Sequence, residues 1–210
     1  YNYKKMFVML FLGFGSGLPY ILLISTSTAW LRDVNVDLSY IGFFTWITFT
    51  YTFKFAWAPL VDRFSIPFLA QYGHRKSWIA FMQILIFLSL LFISNIDPIE
   101  NFILFCIVGA TIAFAGSIQD IAIDAFRIEY AHISDQGNLA ASYQLGYRLA
   151  IIAATSIALI FADINGWSMT FKLMAGLMCL GLLGVIFSKE EKNKELGKLN
   201  FINSIVEPLK

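Results

Sequence analysis

Residues 102–130, FILFCIVGATIAFAGSIQDIAIDAFRIEY, end a long apolar run with several polar and charged side chains. The run is longer than the about 20 helical residues that cross the hydrocarbon core of a bilayer. Asp120, Asp124 and Arg127 follow at spacings of four and three, which places them on one helix face with Gln119 adjoining. An ionised group at bilayer depth costs roughly 3 kcal/mol or more. The stretch therefore predicts a membrane helix whose polar face meets a charged partner, a water-filled cavity or a ligand, and not lipid.

The composition extends this interpretation to the whole chain. Hydrophobic residues make up 58% of the 210 residues and charged residues only 14%, a balance foreign to soluble domains of this size. The formal net charge of +1 gives no bias that would indicate a nucleic-acid partner. We expect an all-α membrane protein in the lipid bilayer, a six-helix bundle within residues 1–188. Its spans are predicted at about 6–30, 38–61, 78–96, 102–126, 139–162 and 168–187.

Basic residues in the connections set the expected orientation. If the six helices alternate across the bilayer, most lysines and arginines outside them fall on one side, and the positive-inside rule makes that side cytoplasmic. Both termini are thus predicted to be cytoplasmic. Residues 189–210 begin as a charged run and then place apolar side chains at near-helical spacing, which predicts a linker followed by an interfacial helix. The chain begins with Tyr1 and stops in that amphipathic stretch, so we expect a piece of a longer protein.

Two further predicted spans carry polar residues. Lys54 lies in the second span, and Gln144 and Arg148 lie four residues apart in the fifth. If these faces point at one interior in the cytoplasmic half, Lys54 and Arg148 can offset the two aspartates of the fourth span. Less specific interpretations stay open, because Lys54 could extend towards the headgroups, and Asp124 and Arg127 could form a structural pair only.

The first predicted span contains GFGSGLPY, residues 13–20. Gly17 and its neighbouring glycines allow close approach of another helix, and Pro19 removes a backbone hydrogen bond, which favours a kink. Transporter helices bend in this way beside a substrate, although the packing of small residues explains the pattern as well.

Catalytic chemistry finds no support in the sequence. No serine, cysteine or histidine stands in a nucleophile arrangement, and neither a phosphate-binding glycine loop nor metal-ligand spacing occurs. We therefore predict no enzyme, no metal site and no cofactor. Carboxylates beside Lys54 and Arg148 within a membrane favour an anion-binding or proton-coupled path instead, with protons as the coupling ion, because protonation neutralises a buried carboxylate.

The connection after the second span, APLVDRF…GHRKSW, carries a family signature. It resembles the loop between spans two and three of the major facilitator superfamily, whose acidic, basic, glycine and basic-pair positions correspond to Asp62, Arg63, Gly73, Arg75 and Lys76. Ala58 replaces the usual first glycine, and an insert, SIPFLAQY, separates the two halves of the signature. With GFGSGLPY, TFKFAWAPLVDR, GSIQDIAIDAFR and LGYRLA, nearly the whole chain resembles the AmpG-like muropeptide permease family of that superfamily.

The resemblance implies the N-terminal half of a twelve-helix protein of the bacterial inner membrane. The implied activity is proton-motive-force-dependent import of 1,6-anhydro-muropeptides, glycopeptides of cell-wall recycling, and the implied partner is a C-terminal half or a second copy. Candidates for substrate or proton contacts are Lys54, Gln119, Asp120, Asp124, Gln144 and Arg148; candidates for a cytoplasmic gate are Asp62, Arg63, Arg75 and Lys76. The alternatives are a transporter of acetyl-CoA or another anionic metabolite, and a truncated membrane subunit that does not transport.

Overall fold

The computed structural model describes residues 3–66, 73–130 and 133–188, and in these ranges it contains helices and turns but no strand. Five continuous helices are long and apolar enough to cross a membrane. Numbered by the predicted span that each occupies, they are helix 1 (Tyr3–Asp33), helix 3 (His74–Ile93), helix 4 (Phe102–Tyr130), helix 5 (Gln136–Asn165) and helix 6 (Trp167–Phe187). Residues 38–63, called segment 2, occupy the predicted second span. The predicted linker and interfacial helix at 189–210 lie outside the described residues.

Helix 1 lies at the centre of the bundle. It packs against helices 4, 5 and 6, while helix 3 packs against helices 4 and 6. Glycines bring helices 1 and 5 into backbone contact: a β-carbon on Gly13 would stand 2.1 Å from the carbonyl oxygen of Tyr143, and one on Gly146 would stand 2.0 Å from that of Leu10. Only a residue without a side chain fits at either position.

Helices 1 and 5 also share an irregularity. Helix 1 continues through Gly17 and Pro19 and then contains a π-helical turn, Leu22–Thr26, while helix 5 contains another, Ala153–Ile157. The two turns lie against each other, and the hydroxyl of Thr26 donates a hydrogen bond to the carbonyl oxygen of Ala154. A π turn disturbs the regular ladder of hydrogen bonds, so this bond from the neighbouring helix compensates for part of the disturbance.

Segment 2 differs from the single helix predicted over 38–61. The hydroxyls of Thr45, Thr48 and Thr50 donate to carbonyls three residues back at 2.6–2.7 Å, which competes with regular helical bonding. Pro59 lacks the N–H that would bond the carbonyl of Phe55. The segment is therefore helical only in short pieces, which are Leu38–Thr45, Phe49–Thr52 and Ala58–Arg63, joined by the 3-10 turns Trp46–Thr48 and Lys54–Ala56.

Two helix ends differ from the predicted bounds by four residues, and the others differ by three or fewer. Helix 3 begins at His74, earlier than residue 78, because Gly73 adopts φ +116° and its carbonyl accepts bonds from the backbone N–H and hydroxyl of Ser77. Helix 4 continues past residue 126 to Tyr130, whose carbonyl accepts a hydrogen bond from Lys5 at 2.7 Å. Both extensions bring polar side chains to the same end of the bundle.

Candidate functional site

A hydrogen-bonded group around Asp120 joins helices 1, 4 and 5. The hydroxyl of Ser16 donates to Oδ1 of Asp120 at 2.5 Å and lies 2.7 Å from the hydroxyl of Tyr143. Ser16 is buried, and Asp120 is partly buried. Because Gly13 admits the backbone of Tyr143, the phenol of Tyr143 comes within reach of the next turn of helix 1. We call Ser16, Asp120 and Tyr143 the Asp120 group.

Pro19 explains a second bond between helices 1 and 4. In a regular helix the carbonyl of Gly15 would accept from the N–H of residue 19, but Pro19 has none. Nε2 of the fully buried Gln119 donates to that carbonyl instead, at 2.9 Å. Consecutive residues of helix 4, Gln119 and Asp120, thus bond consecutive residues of helix 1, Gly15 and Ser16. The proline frees a carbonyl at membrane depth, and a neighbouring helix satisfies it.

The cations near helix 4 contact Asp124 and not Asp120. Nζ of Lys54 lies 3.8 Å from Oδ2 of Asp124, and Nη2 of Arg127 lies 3.6 Å from Oδ1. The side chains of Lys54 and Asp124 are 45% and 44% exposed. Asp124 therefore contacts two cations, Arg127 within helix 4 and Lys54 of segment 2.

The polar residues of helix 5 divide between two faces. Tyr143 and Tyr147 face helix 1, where a β-carbon on Gly17 would stand 3.1 Å from the ring of Tyr147. Gln144 and Arg148 each follow one of these tyrosines and are exposed. Neither makes an ion pair or hydrogen bond with another described residue, so the predicted proximity of Arg148 to the aspartates is not a contact of this structure.

Tyr51 of segment 2 packs one helical turn before Asp120. Its buried hydroxyl would stand 2.0 Å from a β-carbon on Gly116, and its ring meets that of Tyr20 edge to face at 4.8 Å between centroids. Lys54, three residues later, reaches the turn after Asp120. Segment 2 therefore contacts helix 4 on both sides of the Asp120 group.

The predicted gate residues lie at the end of the bundle where helix 4 finishes. Arg75 pairs with Asp62 at 2.6 Å and with Glu129 of helix 4 at 3.4 Å, which ties segment 2, helix 3 and helix 4 together. Lys76 donates to the carbonyl of Ser188, just after helix 6, at 2.9 Å. Arg63 is exposed and has no ion pair within the described ranges.

Sequence reasoning did not select three residues of these networks: Ser16, Tyr143 and Glu129. Ser16 is the one serine within the glycine-rich GFGSGLPY, and Tyr143 precedes Tyr147 by one helical turn. Glu129 follows the Asp120–Asp124–Arg127 face at the predicted end of the span. The sequence around each of these three residues does not identify the distant side chain that it contacts, so none of them could be selected from the sequence. In the described part of the chain, no group of three or more His, Cys, Asp or Glu side chains could hold a metal ion.

The family profile of the Major Facilitator Superfamily matches residues 5–205. The chain belongs to the major facilitator superfamily. It is 32% identical over 213 residues to putative transporter AmpG 4 of Rickettsia conorii, with 98% of this chain and 51% of the relative covered. It is 33% identical over 204 residues to the anhydromuropeptide permease of Escherichia coli K12, with 97% and 41% covered. Putative transporter AmpG 3 of Rickettsia typhi is 30% identical over 209 residues, with 98% and 49% covered.

These relatives confirm the predicted resemblance to AmpG-like permeases. The chain spans about half the length of the curated relatives it matches. Its family and its five apolar helices identify a multi-pass membrane protein of a transporter superfamily.

Proposed function

We propose that this chain forms the N-terminal half of a proton-coupled transporter that imports 1,6-anhydro-muropeptides across the bacterial inner membrane, with both termini in the cytoplasm. The cargo is suggested by the relatives, one of which is named an anhydromuropeptide permease. The coupling mechanism is suggested by one observation, the bonding of Asp120 to Ser16 and through it to Tyr143. A carboxylate at this depth needs such partners in each protonation state.

The Asp120 group can serve both states of a titrating carboxyl. When Asp120 is ionised, the hydroxyl of Ser16 donates to it, and the hydroxyl of Tyr143 donates to Ser16. When Asp120 takes up a proton, its own O–H can donate to Ser16, whose hydroxyl then turns to donate to Tyr143. Both hydrogen bonds persist in the two states with their directions reversed, so Asp120 is the proposed site of the coupled proton.

The exposed charges suit the cargo. A muropeptide carries peptide carboxylates and sugar hydroxyls, which Lys54, Arg148 and Gln144 can bind by charge and hydrogen bonding. A carboxylate that approaches Lys54 competes with Asp124, whose present distance of 3.8 Å makes a long and replaceable ion pair. A second six-helix half, from a C-terminal region or a second copy, would cover this open face and enclose the cargo.

Uptake of radiolabelled anhydro-muropeptide by permease-deficient cells tests the proposal. The cells express either this chain alone or the chain extended by a second six-helix half, each with and without a protonophore. We expect protonophore-sensitive uptake by the extended form, and its loss in Asp120→Asn. Uptake by the chain alone would indicate a working dimer of two copies. No uptake by either form, with both shown to be inserted, would contradict the proposal.

The second candidate is a transporter of acetyl-CoA or another anionic metabolite. The observation that favours it is a pair of accessible cations, the half-exposed Lys54 and the exposed Arg148, since they would bind a phosphate as readily as a carboxylate. A second label separates the two: uptake of radiolabelled acetyl-CoA is measured beside that of radiolabelled muropeptide, and each is competed with the other compound unlabelled. Uptake of acetyl-CoA without uptake of muropeptide would replace the leading proposal. A truncated, non-transporting subunit is the outcome if neither compound is taken up.

A further inference from the structure

Gln83 of helix 3 is a fully buried amide whose polar atoms have no hydrogen-bond partner among the described residues. Its side chain ends in the crossing of helices 1 and 6, where Gly15 and Gly181 approach each other. A β-carbon on Gly181 would stand 2.6 Å from Nε2 of Gln83, and one on Gly15 would stand 2.9 Å from the same atom. The two glycines thus form the notch that accommodates this amide.

Gln119 has a buried acceptor, Oε1, that suits the unpaired donor of Gln83. Its Nε2 donates to the carbonyl of Gly15, but its Oε1 is buried and has no partner within the described ranges. Nε2 of Gln83 and Nε2 of Gln119 lie 2.9 Å and 3.8 Å from the point where a β-carbon on Gly15 would stand, so the two amides are neighbours. Buried amide groups in apolar surroundings are normally paired, because an unpaired one loses its bonds to water without replacement. A free donor on Gln83 and a free acceptor on Gln119 are complementary.

We propose that Gln83 and Gln119 form a buried amide pair, joined by a direct hydrogen bond or by one bridging water. In this arrangement Gln83 is a positioning residue for the Asp120 group. A terminal amide can turn over and exchange its nitrogen and oxygen. A donor from Gln83 to Oε1 of Gln119 keeps Nε2 of Gln119 directed at the carbonyl that Pro19 leaves free. That bond holds Gly15, and with it the adjoining Ser16, against helix 4.

A double-mutant cycle tests the pairing without reference to transport. Gln83→Met, Gln119→Met and the double variant are purified in detergent, and their thermal midpoints are compared. In the wild-type background Gln83→Met leaves Gln119 unpaired, so we expect its midpoint to fall by about 4 °C. In the Gln119→Met background the same change removes an already unpaired amide and should cost nothing. An equal fall in both backgrounds would overturn the pair.

Nuclear magnetic resonance of side-chain amides gives a readout that a packing role would not change. The chain has five glutamines, so selective ¹⁵N labelling gives few NH₂ signals, and the signal of Gln83 is the one lost in Gln83→Met. We expect this signal to shift in Gln119→Met and to exchange slowly with solvent. A Gln83 signal that Gln119→Met leaves in place would refute the contact.

Two glycines of helix 6 provide a matched control if Gln83→Met does not insert. Gly181→Ala pushes directly on Nε2 of Gln83, whereas Gly176→Ala points into open space on the same helix. We expect Gly181→Ala to move the NH₂ signal of Gln119 and to lower the midpoint, and Gly176→Ala to do neither. A Gln119 signal unmoved by both variants would count against the pair.

The link to Asp120 rests on the proposed function and has its own readout. In the extended transporter, Gln83→Met should lower the maximal rate of muropeptide uptake several-fold while the half-saturating concentration stays constant, because Gln83 is buried away from the exposed cargo face. An unchanged maximal rate would remove the positioning role but not the pair. If even the unmodified extended form transports nothing, the proposed function fails, while the cycle and the NH₂ signals still decide the pairing.

Discussion

Helix 5 and segment 2 both bring side chains to the centre of helix 4, but they contact their neighbours in different ways. Helix 5 meets helix 1 through backbone atoms, at Gly13 opposite Tyr143 and at Gly146 opposite Leu10. Segment 2 meets helix 4 through the ends of side chains, with Phe44 over Gly109 and Tyr51 over Gly116. Its outward aromatic residues are exposed, among them Phe43, Trp46, Phe49, Phe53 and Phe55.

The difference separates a rigid contact from an adaptable one. Backbone atoms cannot turn away as a side chain can, so a change at the helix 1–helix 5 contact requires the two helices to move as wholes. The contact therefore sets the distance from Ser16 to Tyr143. Side chains can change rotamer, and segment 2 is interrupted by short turns between Tyr51 and Ala58. The proton-binding part of the proposed site therefore lies on the rigid contact, and the part that offers Lys54 to the cargo lies on the adaptable one.

Gly146→Ala should have the largest effect, because it breaks the rigid contact. Its β-carbon would meet the carbonyl of Leu10 at 2.0 Å and the nitrogen of Phe14 at 2.9 Å, and neither backbone atom can turn away. We expect a loss of about 3 kcal/mol or more in unfolding free energy, measured by denaturation in detergent. Gly137→Ala is the control on the same helix, where nothing lies within 4 Å. Equal behaviour of the two variants would contradict the rigid contact.

Gly116→Ala tests the adaptable contact in the same way. The added methyl group meets the hydroxyl of Tyr51 at 2.0 Å, but that hydroxyl is the end of a side chain on a broken segment. We expect a loss of about 1–2 kcal/mol in unfolding free energy, well below that of Gly146→Ala.

Tyr51→Phe in the Gly116→Ala background removes the hydroxyl that collides, and it should recover most of the lost stability. Gly42→Ala in segment 2 faces open space and serves as the neutral control. No recovery in the double variant would show that segment 2 is as rigid as helix 5.

Ser16→Ala removes the hydroxyl that connects the rigid contact with Asp120. Two hydrogen bonds are lost, so the carboxylate of Asp120 and the hydroxyl of Tyr143 each lose Ser16 as a partner. We expect a fall of about 1–2 kcal/mol in unfolding free energy and reduced muropeptide uptake by the extended form. Ser142→Ala is the matched control, since that hydroxyl bonds only a carbonyl of its own helix at 2.9 Å and should cost less. A neutral Ser16→Ala would remove Ser16 from the proposed proton site.

Lys54→Met should have the smallest effect on stability. The Lys54–Asp124 pair is long and its side chains are nearly half exposed, so its removal should change the unfolding free energy by less than about 0.5 kcal/mol. Uptake by the extended form should nevertheless fall, because the cation facing the cargo is lost. Lys172→Met changes an exposed lysine of helix 6 and should alter neither quantity. A large loss of stability in Lys54→Met would mean that this pair holds segment 2 in place.

Segment 2 shows that the length of an apolar run is not enough to predict a continuous membrane helix. Residues 38–61 are apolar enough for a span, but apolar length does not register the threonine hydroxyls that bond back to the chain or the effect of Pro59 on its preceding turn. The other five predicted spans correspond to continuous helices whose ends are displaced by up to four residues, as at Gly73, where helix 3 starts. Prediction succeeds where one long pattern dominates and fails where several short-range bonds compete with it.

By itself, the sequence determined the membrane setting, most of the helices, and the sharing of one helix face by Asp120, Asp124 and Arg127. It also determined that Pro19 leaves a carbonyl without a partner. These are consequences of helical periodicity and of the backbone's need for hydrogen bonds.

Only the tertiary structure decided which partner each group meets: Gln119 for the carbonyl of Gly15, Ser16 for Asp120, and Asp124 for Lys54. It also turned Gln144 and Arg148 outward while the tyrosines before them face helix 1. The physical reason is that periodicity orders side chains around a single helix, whereas the rotation and distance between helices depend on where glycines let distant backbones meet.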